Sequence, residues 1–168
     1  MTYARITATL PEGPGLLAAY RLDQVGTAES TVLSLWERGT ADDHELVGDW
    51  SGAAAGAEPG AATILYFDGP LSDVAFAASE RAARERIQPA LAAVPGLIRQ
   101  LALWQPRDRS VAVVMLAGTI DALEVAGRVV GSTALLPDED PALLPGPDRA
   151  VAYHVAAVGH ANAVGRAS

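Results

Sequence analysis

The chain contains no cysteine. Thiolate catalysis, disulfides, iron–sulfur clusters and cysteine-ligated zinc are therefore excluded, and a reducing compartment fits. Lysine is absent as well, since all twelve basic residues are arginine. Neither Schiff-base chemistry nor a phosphate loop built on lysine is available. Aromatic residues are scarce: three Trp, four Tyr and two Phe in 168 residues. Half the residues are hydrophobic, so Ala, Val and Leu must fill the core by close packing between elements. Positive charge is in deficit, with a net charge of −8. Such a chain repels phosphate backbones and anionic lipid headgroups, so neither nucleic acid nor a membrane surface is expected as a partner. No apolar run approaches the ~20 residues of a membrane span. The start, Met1 to Thr7, lacks the basic and apolar stretches of a secretory signal. The expected location is the cytoplasm.

What is present is a pattern of short strands and two helices. Tyr3–Leu10 alternates apolar and polar residues, as a half-buried strand does. Leu16–Val25 and Thr31–Arg38 read as a hairpin, after the turn cluster Pro11–Gly15. From Gly39 to Gly60 the signal fades into an acidic stretch holding Asp42, Asp43, Glu45 and Asp49. The Gly/Ala-rich run Ser51–Gly60 then reads as a flexible linker. Beyond it Thr63–Asp68 is a strand, and Ser72 can cap a helix with Phe76, Ala83, Ile87, Leu91 and Val94 on one face. Pro89 removes a donor and crowds the preceding turn, which predicts a kink near Glu85–Gln88. Leu97–Gln105 and Ser110–Gly118 form a second hairpin. A helix capped by Thr119 or Asp121 follows, with Leu123, Ala126, Gly127 and Val130 on its buried side, and Asp148–Val158 is the last strand.

The second half thus reads β-α-β-β-α-β, a ferredoxin-like antiparallel sheet of the α+β class. Strands 111–116 and 150–158 are apolar on both faces, whereas a sheet with one wet face alternates. Two helices can cover only one face. A second copy of the domain, the N-terminal strands, or both must bury the other. An internal repeat bears on that choice: Pro14-Gly15-Leu16 and Gly39-Thr40 recur as Pro95-Gly96-Leu97 and Gly118-Thr119, at offsets of 81 and 79. The expected organisation is a degenerate half-repeat of strands plus linker in residues 1–60, a ferredoxin-like domain in 61–159, and a tail in 160–168.

The stretch Arg86-Ile-Gln-Pro-Ala-Leu-Ala-Ala-Val-Pro-Gly-Leu, followed by Trp104 and the paired strands, resembles the antibiotic-biosynthesis-monooxygenase-like group of dimeric α+β barrels. The resemblance covers roughly residues 61–158. It implies a sheet that dimerises through its helix-free face around a cavity, and hence a homodimer. It also implies the activities of that group: cofactor-free quinone formation, haem degradation and muconolactone isomerisation. The haem-degrading branch uses Asn, Trp and His together, and here the sole asparagine is Asn162, in the expected tail. That branch is disfavoured.

Among candidate site residues, His154 lies mid-strand and can serve as a general base if its face lines a cavity. A hydrogen-bonded structural histidine is the competing reading. Arg99 and Gln100 lie on opposite faces of one strand. A buried arginine needs a carboxylate or a ligand anion, so Arg99 either finds one or escapes at an edge. Tyr66, Trp104 and Trp36 sit on strands, where they either line an aromatic-substrate cavity or simply fill core. No metal site is expected, because His44, His154 and His160 show no ligand spacing and the acidic stretch lacks Ca²⁺-loop spacing. No Gly-rich phosphate motif or nucleophile elbow occurs, so no cofactor is expected. Two functions follow as expectations. One is a cofactor-independent, monooxygenase-like enzyme with a small aromatic or polyketide-like substrate in the barrel, using His154 and Arg99. The other is a non-catalytic binding or assembly protein on the same scaffold.

Overall fold

The structure, a computed structural model, describes residues 1–160. Eight antiparallel strands close into one barrel: β1 (Tyr3–Thr7), β2 (Leu16–Gln24), β3 (Ser30–Trp36), β4 (His44–Ser51), β5 (Ala61–Phe67), β6 (Leu97–Gln105), β7 (Ser110–Ala117) and β8 (Arg149–His160). Their order around the barrel is β1-β3-β2-β8-β5-β7-β6-β4. The C-terminal half contributes β6-β7-β5-β8 and the N-terminal half β2-β3-β1-β4, which is the same order without helices. The half-repeat is therefore a full ferredoxin-like sheet. The eight residues Ala8–Gly15 stand where the second copy has its first helix, and they form none. The tail expected at 160–168 lies outside the described residues, except that β8 runs through His160.

The seams β2·β8 and β4·β6 join the two halves within a single chain. They settle which element covers the helix-free face: the N-terminal strands do, and burying that face requires no second copy. An eight-stranded barrel has an interior just wide enough for side chains to fill. Leu22, Leu33, Ile64, Leu101, Leu103, Val114 and Leu116, each 0–2% exposed, fill it. The barrel interior is core and not the cavity expected from the resemblance.

Two segments differ from the sequence reading. Strand β4 falls within the acidic stretch that reads as loop; a register shift between Leu46 and Gly48 breaks its alternation. Residues 52–60 are not loose. Ala54 donates to the Leu97 carbonyl and Gly60 to that of Ala117, which seats the segment on the sheet.

Helix α1 (Asp73–Ala82) starts at Ser72, whose hydroxyl accepts from the Ala75 N–H. Pro89 has no N–H to offer the turn before it, and the helix answers by widening. Ala83–Ile87 is a π turn in which the Gln88 N–H reaches the Ala83 carbonyl, followed by α2 (Gln88–Leu91). Helix α3 (Ile120–Ser132) starts at Thr119, which caps the Ala122 N–H. A second core beneath the helices unites Leu91, Val94, Leu97, Met115, Leu123 and Ala126. No helix is long and apolar enough to cross a membrane among the described residues.

A pH dependence follows from His44 and Asp43, which adjoin at the start of β4. Burial lowers the His44 pKa below its ordinary 6.5, against the opposing pull of Asp43 and Asp108. Burial raises that of Asp43, but hydrogen bonds from Arg5 and Thr40 outweigh it and the net shift is downward. In both cases the unfolded chain binds more protons, so stability falls with falling pH. The loss should begin near pH 6.5 through His44 and resume below the ordinary Asp value of 3.8 through Asp43. Urea midpoints between pH 7 and 5 should therefore fall for the wild type and stay flatter for His44→Gln. Equal slopes would show that His44 is not the titrating group.

Candidate functional site

A cavity of about 640 Å³ lies between the helix layer and the outer face of the C-terminal sheet. Its floor is built by strand alternation. Side chains at Leu65, Phe67, Val111, Val113, Ala102 and Gln100 point away from the barrel, opposite their core neighbours. Strand β4 of the N-terminal half extends the floor with Val47 and Trp50. Gly48 makes room for Trp50, since a Cβ there would stand 2.0 Å from the indole ring. The roof is the face of α1 and the π turn that carries Phe76, Ala83 and Ile87, with Gly127 and Val130 from α3.

The remaining wall, Leu144–Pro147, belongs to the loop between α3 and β8. Ion pairs hold that loop to the helix. Arg81 grips Asp138 with two hydrogen bonds of 2.7 and 3.0 Å. Arg86 donates to Glu139 at 2.8 Å, and these two side chains are only 10% and 4% exposed. The Glu139 carboxylate also accepts the Leu136 N–H, which fixes its direction. A buried pair of this kind holds because each charge is compensated by the other and by further hydrogen bonds.

The lining is chiefly apolar. Glu80 and Arg84 are exposed at its margin, while Gln100 is 94% buried in the floor and accepts a hydrogen bond at its Oε1 from the Gln88 Nε2. No histidine, cysteine or tyrosine is among the lining residues. A haem would thus find no imidazole, thiolate or phenolate iron ligand among the lining residues, and of the ordinary axial donors only the Met115 thioether. Among the described residues no group of three His, Cys, Asp or Glu stands close enough to hold a metal ion.

The five residues singled out from the sequence do not converge. His154 stands on the outer face of β8, exposed, beside Ala61, while its neighbour Tyr153 enters the barrel core. Arg99 does find a carboxylate. It grips Asp49 at 2.7 and 2.8 Å at the rim of the barrel and reaches the Tyr20 hydroxyl at 3.4 Å. Tyr66 packs against the barrel core beneath Arg149, which lies 4.2 Å from its ring. Trp36 faces outward in the N-terminal half, donating to the Ser34 hydroxyl under Arg5. None of the five lines the cavity; Trp104 comes nearest, its ring centroid 4.3 Å from that of Phe76, which does, at a tilt of 41°. Missed were Trp50 and Gln100. Trp50 lies in the unrecognised strand. Gln100 is the polar interruption in an otherwise apolar strand face, and that was its visible signal.

No family model and no curated protein matches the sequence. Solved structures do match in shape. An anthrone oxidase-like protein superposes with a TM-score of 0.58 at 13% identity, covering 96% of this chain and 93% of its own. A monooxygenase-like protein from Listeria innocua gives 0.59 at 12%, covering 92% and 94%. A major regulator of staphylococcal pathogenesis gives 0.64 at 6%, covering 92% and 98%. A heme-degrading enzyme from Listeria monocytogenes shares the architecture at 9% identity. Identities this low establish the fold and leave the activity to the site. The chain has the ferredoxin-like α+β fold of proteins related to antibiotic biosynthesis monooxygenases, with both halves of the barrel in one polypeptide.

Proposed function

We propose that the protein is a monooxygenase-like enzyme whose substrate is a small, flat aromatic or polyketide-like molecule held between the helices and the sheet. The cavity of about 640 Å³, apolar in its floor and roof, carries this reading. Its volume is of the kind that encloses small ligands, and its few polar groups would orient one. An activated aromatic ketone with an acidic CH₂ can supply the electrons itself. Loss of a proton gives an enolate that reduces O₂; one oxygen atom becomes the new carbonyl and the other leaves as water, so R₂CH₂ and O₂ give R₂C=O and H₂O. The chain's share of that reaction is to exclude water, hold the ring system flat, and stabilise the enolate oxygen.

Anthrone under air is a direct test. It should quench the emission of Trp50, and oxygen uptake should exceed the rate in buffer and match the anthraquinone formed. Absence of quenching up to the solubility limit would reject the site. A second reading, binding without turnover, is favoured by one feature: no histidine or tyrosine lines the cavity to act as a base, and its carboxylate, Glu80, stands exposed at the margin. Quenching with oxygen uptake no faster than in buffer would decide for it.

A further inference from the structure

We infer that Gln100 is the polar anchor of this cavity and that the molecule it selects carries a hydrogen-bond-accepting oxygen, an aromatic ketone or phenolate. The inference rests on the helix–sheet cavity being the binding site, and it names the ligand chemistry that site recognises. Gln100 lies in β6 between Trp50 of β4 and Met115 of β7. Both neighbours line the cavity, as do Ala102 and Val113. An aliphatic side chain would pack in such a floor without cost, whereas a buried amide is costly unless its groups are paired.

Only one end of this amide is paired. Its Oε1 accepts from Gln88. Its Nε2 makes no hydrogen bond among the described residues, yet no fully buried side-chain nitrogen or oxygen there lacks a partner. The Nε2 therefore keeps its residual surface toward open space. Gln100 borders two such spaces. One, of about 10 Å³, is shared with Gln88 and Leu91 and holds at most a water. The other is the large cavity. A ligand-sized partner for this donor can come only from the large side. Because Gln88 occupies the oxygen, what Gln100 offers is an N–H, and its complement is an acceptor. If that oxygen gains negative charge during oxidation, the same N–H binds it more strongly, as charge-assisted hydrogen bonds do.

The test uses two ligands of one skeleton, 9-fluorenone and fluorene, titrated calorimetrically into the full-length protein. A net hydrogen bond of ordinary strength is worth a few-fold to about tenfold in affinity. Wild type should prefer fluorenone by about that factor. Gln100→Met keeps the bulk and removes the donor, and should bring the two ligands to near-equal affinity by weakening fluorenone alone. Gln88→Met removes the tether and leaves the donor, and should retain the preference. Equal binding of both ligands by wild type, or a preference that survives in Gln100→Met, overturns the anchor while the cavity stands. Binding of neither ligand overturns the cavity as well. If circular dichroism shows Gln100→Met to be unfolded, the wild-type ratio and its persistence in Gln88→Met decide the matter.

Discussion

Gly127→Phe should abolish ligand binding, by at least ~30-fold, in a protein that remains folded. Gly127 lies on the cavity side of α3, and a Cβ built there meets nothing within 4 Å. Gly127 is exposed at the cavity roof, and a phenyl ring there is expected to reach over the opening and take space a flat ligand needs. The backbone gains as well, because glycine costs a helix interior about 1 kcal/mol relative to alanine and phenylalanine costs less. Gly127→Ala is the control. It should raise stability by up to ~1 kcal/mol and leave affinity within about twofold, since one methyl group occupies little of the cavity. Ligand titration and thermal melts of both variants make the measurement. Wild-type affinity in Gly127→Phe would place the ligand elsewhere. Loss of binding in Gly127→Ala would point to a change in helix geometry and not to occupancy of the cavity.

Leu33→Ala should lower stability by about 3 kcal/mol, and the loss should be read in full by helices that Leu33 never touches. Leu33 is fully buried in the barrel core on β3, in the N-terminal half, which has no helix. Every α-helix of the described chain lies between Asp73 and Ser132, in the other half. If the seams β2·β8 and β4·β6 bind the halves into one cooperative unit, the helical signal must collapse together with the barrel. For a chain of this size the melting midpoint should fall by roughly 6–12 °C at 222 nm. Leu101→Ala, in the barrel core of the C-terminal half on β6, should do the same. A helical transition left in place by Leu33→Ala would mean that the halves fold separately and that the barrel is a docked pair.

The same geometry explains why the barrel closes without help. In the N-terminal half, the face corresponding to the helix–sheet cavity is already filled. Trp36 lies there with Arg5 over its ring, and the Gly13 segment comes to within 3.7 Å of the indole, measured from an ideal Cβ. The helix-shaped gap of the N-terminal repeat is thus occupied by the chain itself.

Much of this was legible in the residues. Leu97–Gln105, an apolar run bounded by Pro95-Gly96 and Pro106, is the strand the structure shows. Pro89 lacks a donor wherever it stands, so a disturbance of the helix before it followed from its chemistry and appears as the π turn at Ala83–Ile87. The repeat of Pro-Gly-Leu and Gly-Thr landmarks disclosed two related halves, because the same turns recur wherever the same hairpin is built. The lack of polar alternation in 111–116 also disclosed that this strand needs cover on both faces. These are local properties, fixed by the period of a strand and the stereochemistry of single residues.

The site was not local. Alternation tells which residues share a face, but not which face closes inward, and here the inward face filled with leucine while the outward one kept the space. That outcome depends on how far the helices stand off the sheet, and the loop that walls the space is tied to the helix by Arg86–Glu139 and Arg81–Asp138, across 53 and 57 residues of chain. Strand β4 escaped notice because its bulge at Leu46–Gly48 breaks the period, and its partner β6 lies some fifty residues away. With it went Trp50, the one tryptophan that lines the cavity, while Trp36 and Trp104 stood in its place as candidates. Composition and periodicity determined the elements and their pairing into halves. The tertiary structure alone decided where the empty volume lies and which residues line it, because a cavity is defined by the chain segments that fail to meet.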